Sequence, residues 1–210
     1  PISNPRKILF VGLGGAGQRH LRLMQGILPA STVYSAYRSL GRTPLLRPDF
    51  SIDDCATVED RYYLTLFDSL EEALDDGPDL VVVSTPSALH MDAMLEAVKR
   101  GVSIFVEKPV SHNLERMAGL LGSVIRQRLS FFISLQRRFN PAIRKVRQLI
   151  NSGSLGDVVS ADFHVASYLP DWHPYEPFTQ LYAARQELGS GVRLTEIHCP
   201  SSKPRSLRYC

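Results

Sequence analysis

"VGLGGAGQRH", residues 11–20, places Gly12, Gly14 and Gly17 in the spacing G-x-G-x-x-G, directly behind the apolar run Ile8-Leu9-Phe10-Val11. A bare match of this kind is weak, because a tight structural turn also uses glycine. The setting says more: the pattern predicts a strand over residues 7–11 and a helix from Ala16 to about Leu28, so the glycines stand at a strand-to-helix turn. There Gly12 would permit the turn, Gly14 would let a pyrophosphate come against the backbone, and Gly17 would let helix and strand pack closely. The phosphates would sit at the positive end of the helix dipole. The loop from Gly12 through Gly14, Gly15 and Ala16 to Gly17 is therefore the candidate cofactor-binding turn. Its rival user would be a methyltransferase.

Apolar β-branched runs alternate with helix-period segments through residue 136, the signature of βαβ units and a parallel sheet. Further strands are expected at about residues 32–37, 62–66, 80–84, 103–107 and 131–135. Six strands fit a doubly wound Rossmann α/β sheet and favour a nicotinamide cofactor over the methyltransferase alternative. Ser69 with Glu72 reads as a capping box, and Ser87 opens a helix that Gly101 closes. After Leu135 the character changes: Asn140-Pro141 opens a helix to about Asn151, and residues 158–168 alternate like a half-buried antiparallel strand. The expected organisation is a dinucleotide-binding domain over 1–136, a partial α+β substrate or oligomerisation domain with an antiparallel sheet over 137–198, and an irregular tail over 199–210.

At the end of the second predicted strand an Asp or Glu would bond the ribose of NAD, whereas this chain reads Ala36-Tyr37-Arg38-Ser39. Arg38 could pair with a 2′-phosphate and Ser39 could donate to it, so NADP(H) is preferred and NAD(H) stays admitted. Arg38 as a solvated loop base remains open beside that reading. At the fifth strand end stands Glu107-Lys108-Pro109. Ligands of open α/β sheets bind at that edge, where a lysine can donate to a substrate oxygen and stabilise charge while hydride leaves the adjacent carbon. A solvated surface charge is the plainer alternative for Lys108.

The 210 residues are 44% hydrophobic and 21% charged, with no apolar run near the roughly 20 residues of a membrane-spanning helix. The formal charge of +3 is matched by Lys203, Arg205 and Arg208, so the body is neutral, which argues against general nucleic-acid binding. Cys55, Cys199 and Cys210 are scattered and lack ligand spacing, so no metal site is expected and free thiols in a cytoplasmic setting are.

The glycine loop, "VVVSTPSALHMDAMLEAVKRGVSIFVEKPVS" and "QRRFNPAIRKVRQLINSGSLGDVVSADFHV" together resemble the glucose-fructose oxidoreductase, inositol dehydrogenase and rhizopine-catabolism family, Gfo/Idh/MocA. The resemblance runs from about Lys7 to His198. It implies an NAD(P)-dependent oxidoreductase acting on a sugar, nucleotide sugar or cyclic polyol, with a second domain that supplies the substrate floor and often a homo-oligomer interface. Carried over by position, Ser84, Thr85 and Pro86 match the segment under the nicotinamide half, with His90 beside it. Glu107 and Lys108 match the cofactor and catalytic positions of the E-K-P motif. Gly189-Ser190-Gly191 leads to His198 as the second catalytic candidate, although Thr195 stands where many members have Asp. His164, Trp172, His173 and Tyr175 could line a sugar pocket, or simply pack.

Beyond His198 the chain has two prolines and no hydrophobic period, unlike the family's continuation. That predicts a truncated or frame-shifted member. A non-catalytic dinucleotide-binding remnant, or a subunit needing a partner chain, is the alternative function.

Overall fold

The structure is a computed structural model that describes residues 4–38, 43–162 and 168–189. Six parallel strands form one sheet: β1 (Lys7–Val11), β2 (Val33–Tyr37), β3 (Thr65–Phe67), β4 (Leu80–Val83), β5 (Ser103–Val106) and β6 (Phe131–Ile133). Their order is β3-β2-β1-β4-β5-β6, with β1 pairing β2 (Phe10 against Ala36) and β4 (Phe10 against Val82). The chain reverses its direction of build between β1 and β4, which opens a crevice at their carboxyl ends.

The apolar runs behave as doubly covered parallel strands should. Leu9, Val11, Val81, Val83, Ile104 and Val106 face one layer, made by α3 (Leu70–Asp75), α4 (His90–Lys99) and α5 (Met117–Gln127). Ile8, Phe10, Tyr34, Ala36, Leu80 and Val82 face the other, where α1 (Gly15–Ile27) contributes Leu21 and α2 (Val58–Tyr62) contributes Val58 and Tyr62. Local signals set the helix ends. Ser69 Oγ accepts from the Glu72 amide at 3.1 Å, and Gly101 follows α4 with a φ of +71°. A 3-10 turn over Ser87–Leu89 precedes α4.

The third strand starts later than the sequence pattern predicts. Residues 58–62 are helical because Thr57 caps them, accepting from the Asp60 amide at 3.1 Å, and Tyr63 ends the turn at a φ of +54°. The strand begins three residues later than the β-rich run suggested. The antiparallel second-domain sheet also fails to materialise: no strand occurs among the described residues after β6. Of the expected strand over 158–168, residues 158–162 form no strand, Val159 being 93% exposed, and 163–167 lie outside the described residues. Alternation makes a strand only where a neighbouring strand takes its backbone hydrogen bonds.

After β6 the chain forms α6 (Pro141–Asn151), capped by Asn140 Oδ1 on the Ala142 amide at 2.9 Å, then 3-10 turns between Leu169 and Leu188. Leu181 and Ala183 bury this last segment. Among the described residues, no helix is long and apolar enough to cross a membrane.

Candidate active site

The crevice is built on the glycine loop. Gly12 has a φ of +93°, and a Cβ there would lie 3.0 Å from the Ser84 carbonyl group, so only glycine fits without strain. Its amide donates to Tyr37 O at 3.0 Å, tying the loop to the end of β2. A Cβ on Gly17 would stand 2.5 Å from Gly12 O and 2.7 Å from Ser84 Oγ, the close helix-strand approach expected of the third glycine. Gly14 differs: a Cβ there would meet nothing within 4 Å. Two glycines are thus fixed by neighbours, and the middle one borders an open cradle at the amino end of α1. That is where a pyrophosphate would approach the backbone, so the residues present fit a dinucleotide.

Ser84 Oγ donates to Gly12 O at 2.8 Å across the β1–β4 switch. Thr85 Oγ1 is buried without a hydrogen-bond partner among the described residues, a polar group left over at the crevice wall. His90 stands beneath this wall, its Nε2 2.8 Å from Thr85 O and its Nδ1 2.9 Å from Pro109 O. A neutral imidazole can donate from only one nitrogen. Burial holds the His90 pKa below its ordinary value, against the pull of those carbonyls. The ring therefore braces the loop after β4 against the segment carrying Lys108.

Glu107 is buried among partners. Its Oε1 accepts from His20 Nε2 at 2.6 Å, Ser134 Oγ at 3.1 Å and Arg19 Nη2 at 3.3 Å, and its Oε2 accepts from the Lys108 amide at 3.0 Å. Burial pushes the Glu107 carboxyl up, but the hydrogen bond and charge of His20, helped by Lys108 N–H and Ser134, bring it below the usual carboxylate value. Lys108, half-buried, leaves this anchored backbone just beyond β5, and its peptide bond to Pro109 is cis.

Tyr175 and His173 lie over the glycine loop. Their rings stack at 5.0 Å, His173 stacks on Phe50 at 6.1 Å, and the Tyr175 hydroxyl lies 3.1 Å from His173 Nδ1 and packs beside Gly15. Burial, then the Glu176 carboxylate, raises the Tyr175 pKa well above its ordinary value. Two of the four residues expected to line a sugar pocket thus sit over the glycine loop, with half-buried Trp172 just before His173 in the chain. Gly189 packs against the Ala88 amide and His112, a Cβ there falling 2.8 Å and 2.7 Å from them. That contact lays the segment along the carboxyl edge of the sheet.

Arg38 follows β2 as expected, but its Nη2 lies 2.9 Å from Glu59 Oε1 of α2. Ser39, His164 and His198 lie outside the described residues. Among the described residues no group of His, Cys, Asp or Glu is placed to hold a metal ion. A cavity of about 410 Å³ beside Arg6, Lys7 and Asp79 belongs to the opposite, amino-terminal edge of the sheet, away from the glycine loop.

Several residues that shape the site carry little or no signal in the sequence. Gln18, fully buried, donates to Leu13 O at 3.1 Å and Pro44 O at 2.8 Å and accepts from Leu46 N at 2.8 Å, clipping the 44–46 segment to the glycine loop. Its signal was a polar residue on the inward face of a helix. His20, Phe50 and Glu59 gave no comparable signal, since their partners are remote in sequence.

A family model described as an oxidoreductase family with an NAD-binding Rossmann fold matches residues 6–133. The scyllo-inositol 2-dehydrogenase (NAD(+)) of Bacillus subtilis (strain 168) is 28% identical over 148 residues, covering 70% of this chain and 40% of that one. The inositol 2-dehydrogenase of Rhizobium meliloti (strain 1021) is 34% identical over 91 residues, covering 43% and 27%. Among solved structures, scyllo-inositol dehydrogenase from Lactobacillus casei with bound NAD(H) and scyllo-inositol is similar in fold at a TM-score of 0.57 and 22% identity, over 72% of this chain and 42% of that one. The chain therefore spans about 40% of the length of the Bacillus relative. With the glycine loop, switch-point crevice and E-K-P segment all matched, the chain belongs to the Gfo/Idh/MocA oxidoreductase family and carries its NAD-binding Rossmann fold.

Proposed function

We propose that the β1–β4 crevice binds a nicotinamide dinucleotide and that the chain serves an oxidoreductase passing hydride between that cofactor and a sugar, nucleotide sugar or cyclic polyol. The open Gly14 cradle, flanked by two glycines that tolerate no side chain, carries the cofactor half of this reading. The names of the relatives, inositol dehydrogenases above all, support the substrate class. Gly12, Gly14, Gly15, Ala16 and Gly17 hold the pyrophosphate, while Ser84, Thr85, Pro86 and His90 shape the floor under the nicotinamide half. When bound, the nicotinamide supplies the hydride acceptor or donor.

Lys108 then donates a hydrogen bond to the substrate oxygen and stabilises the charge that develops there, while His198 exchanges the hydroxyl proton. Glu107 fixes the backbone from which Lys108 projects. Trp172, His173, Tyr175 and His164 belong to the segment that closes the site, and residues 137–198 belong to a second domain that completes the substrate floor. For the coenzyme, Arg38 and Ser39 favour NADP(H), whereas the pairing of Arg38 with Glu59 weighs toward NAD(H).

Oxidation of a panel of inositols and nucleotide sugars tests the catalytic half. The expected outcome is turnover by the wild type that Lys108→Ala abolishes, with NADH affinity, followed by its fluorescence, kept within about threefold because lysine acts on the substrate. A large loss of NADH affinity would make the lysine structural. A second reading, a dinucleotide-binding protein without turnover, is favoured by the missing second sheet among the described residues. It would be marked by saturable NADH binding with no oxidation of any panel member.

A further inference from the structure

We infer that Glu59, carried on α2 rather than on β2, is the residue that discriminates between the two nicotinamide coenzymes, and that it selects NAD(H). This rests on the crevice taking a dinucleotide, as proposed above. In a Rossmann sheet the end of the second strand meets the adenosine ribose. Here that end is bound to the glycine loop by the Gly12 amide on Tyr37 O, so residue 38 stands at the ribose position. The side chain there is a base, but it does not act alone.

Glu59 Oε1 lies 2.9 Å from Arg38 Nη2, and the two side chains are only 19% and 11% exposed, so salt and water screen the pair weakly. The carboxylate is held in place by its helix. Thr57 caps α2, and Val58 and Tyr62 on either side of Glu59 are buried against the sheet. A cavity of about 380 Å³ opens at this spot, lined by Arg38, Asp53, Asp54, Thr57 and Glu59 among others. Asp53 is bonded to Arg47 at 3.3 Å. Three carboxylates against two guanidiniums leave the region with one net negative charge.

A 2′-phosphate brings close to two further negative charges near neutral pH. To bind Arg38 it would have to displace Glu59, leaving a poorly solvated carboxylate beside an anion. A ribose 2′-hydroxyl brings a donor instead, and Glu59 can accept from it while keeping Arg38. The acid that β2 lacks is thus supplied from 21 residues further along the chain.

Fluorescence titration of the full chain with NADH and with NADPH tests this directly. The wild type is expected to bind NADH at least about tenfold more tightly than NADPH, the scale of one charge-assisted contact. Glu59→Gln should release Arg38 and tighten NADPH about tenfold, while NADH changes by about threefold or less. Adding Arg38→Met to Glu59→Gln should cancel the gain, because no guanidinium is then left to receive the phosphate. Should Glu59→Gln fold poorly by circular dichroism, Glu59→Asp, which withdraws the charge by one methylene, should narrow the preference without inverting it. Wild-type preference for NADPH would overturn the inference. So would an unchanged ratio in Glu59→Gln and in Glu59→Asp, with the cofactor site itself left standing. Binding of neither coenzyme would instead defeat the reading of the crevice, and the inference with it.

Discussion

The chain up to β6 and the chain after it obey different physics. In the sheet, Ile8, Leu9, Phe10, Val81, Val82 and Val83 are all at 0–2% exposure and covered on both faces. In α6 the apolar stripe Ile143, Val146 and Ile150 is spaced as a buried helix face would be, yet each residue is 44–50% exposed. Both regions have good local signals, since α6 has its Asn cap and its proline at the first position. Good local signals therefore make a helix, but only long-range cover makes a core. Function respects the division: the cofactor crevice rests on the covered region, and the segment over it borrows order through Leu181, Ala183, Tyr175 and Gly189.

The contrast breaks most readily in the core. Phe10→Ala should destabilise by about 3–5 kcal/mol, whereas Ile143→Ala, at a site already half in water, should cost less than about 1 kcal/mol, as read by urea unfolding. Equal losses would mean that α6 is covered as fully as the sheet. Next comes Gly17→Ala, whose methyl must push Gly12 O or Ser84 Oγ aside. It is expected to weaken NADH binding by about a hundredfold while leaving most of the fold's stability, at a cost of about 1–3 kcal/mol.

Acid should loosen the brace between the two halves of the site. The His90 pKa is lowered in the folded protein, so between that value and the ordinary 6.5 the unfolded chain binds more protons, and stability falls as pH drops below 6.5. The lowered Glu107 acts in the same direction further down, as pH falls below its ordinary 4.5. Stability measured against pH should therefore decline in two stages, and His90→Gln should remove the upper one. A wild-type curve that is flat or rising from pH 6.5 down to 5 would contradict this role for His90. The smallest effect concerns the covering segment. Tyr175→Phe removes the hydroxyl packed beside Gly15 and should tighten NADH by about threefold, the scale of one neutral hydrogen bond. A loss of similar size would make the hydroxyl a clamp on the cofactor.

Legibility in the sequence obeyed the same division. Strands β1, β4 and β5 were readable nearly to the residue, because buried parallel strands leave continuous apolar runs bounded by turns. The glycine loop was readable because its spacing falls within one strand-turn-helix unit, although the contacts that exclude a side chain at Gly12 and Gly17 come partly from Ser84 after β4. Residues 62–64 deceived, since Tyr62 and Tyr63 suggest a strand while Thr57 and Asp60 form the cap of a helix that runs through Tyr62. The run 158–168 alternates correctly, but a strand also needs a partner that alternation does not specify. Pairs such as His20 with Glu107 and Arg38 with Glu59 were invisible, being 87 and 21 residues apart and joined only once the sheet has formed. Arg38 read alone pointed to NADP(H), whereas its ion pair with Glu59 is visible only in the fold.

The central claim is that a dinucleotide's pyrophosphate rests on the amides that open α1. A crystal structure of the chain soaked with NADH tests it most directly. Diphosphate oxygens within hydrogen-bond distance of the Gly15 and Ala16 amides, beside an uncrowded Gly14, are the expected result. Coenzyme bound elsewhere, or a crevice still closed by Tyr175 at saturating NADH, would contradict it.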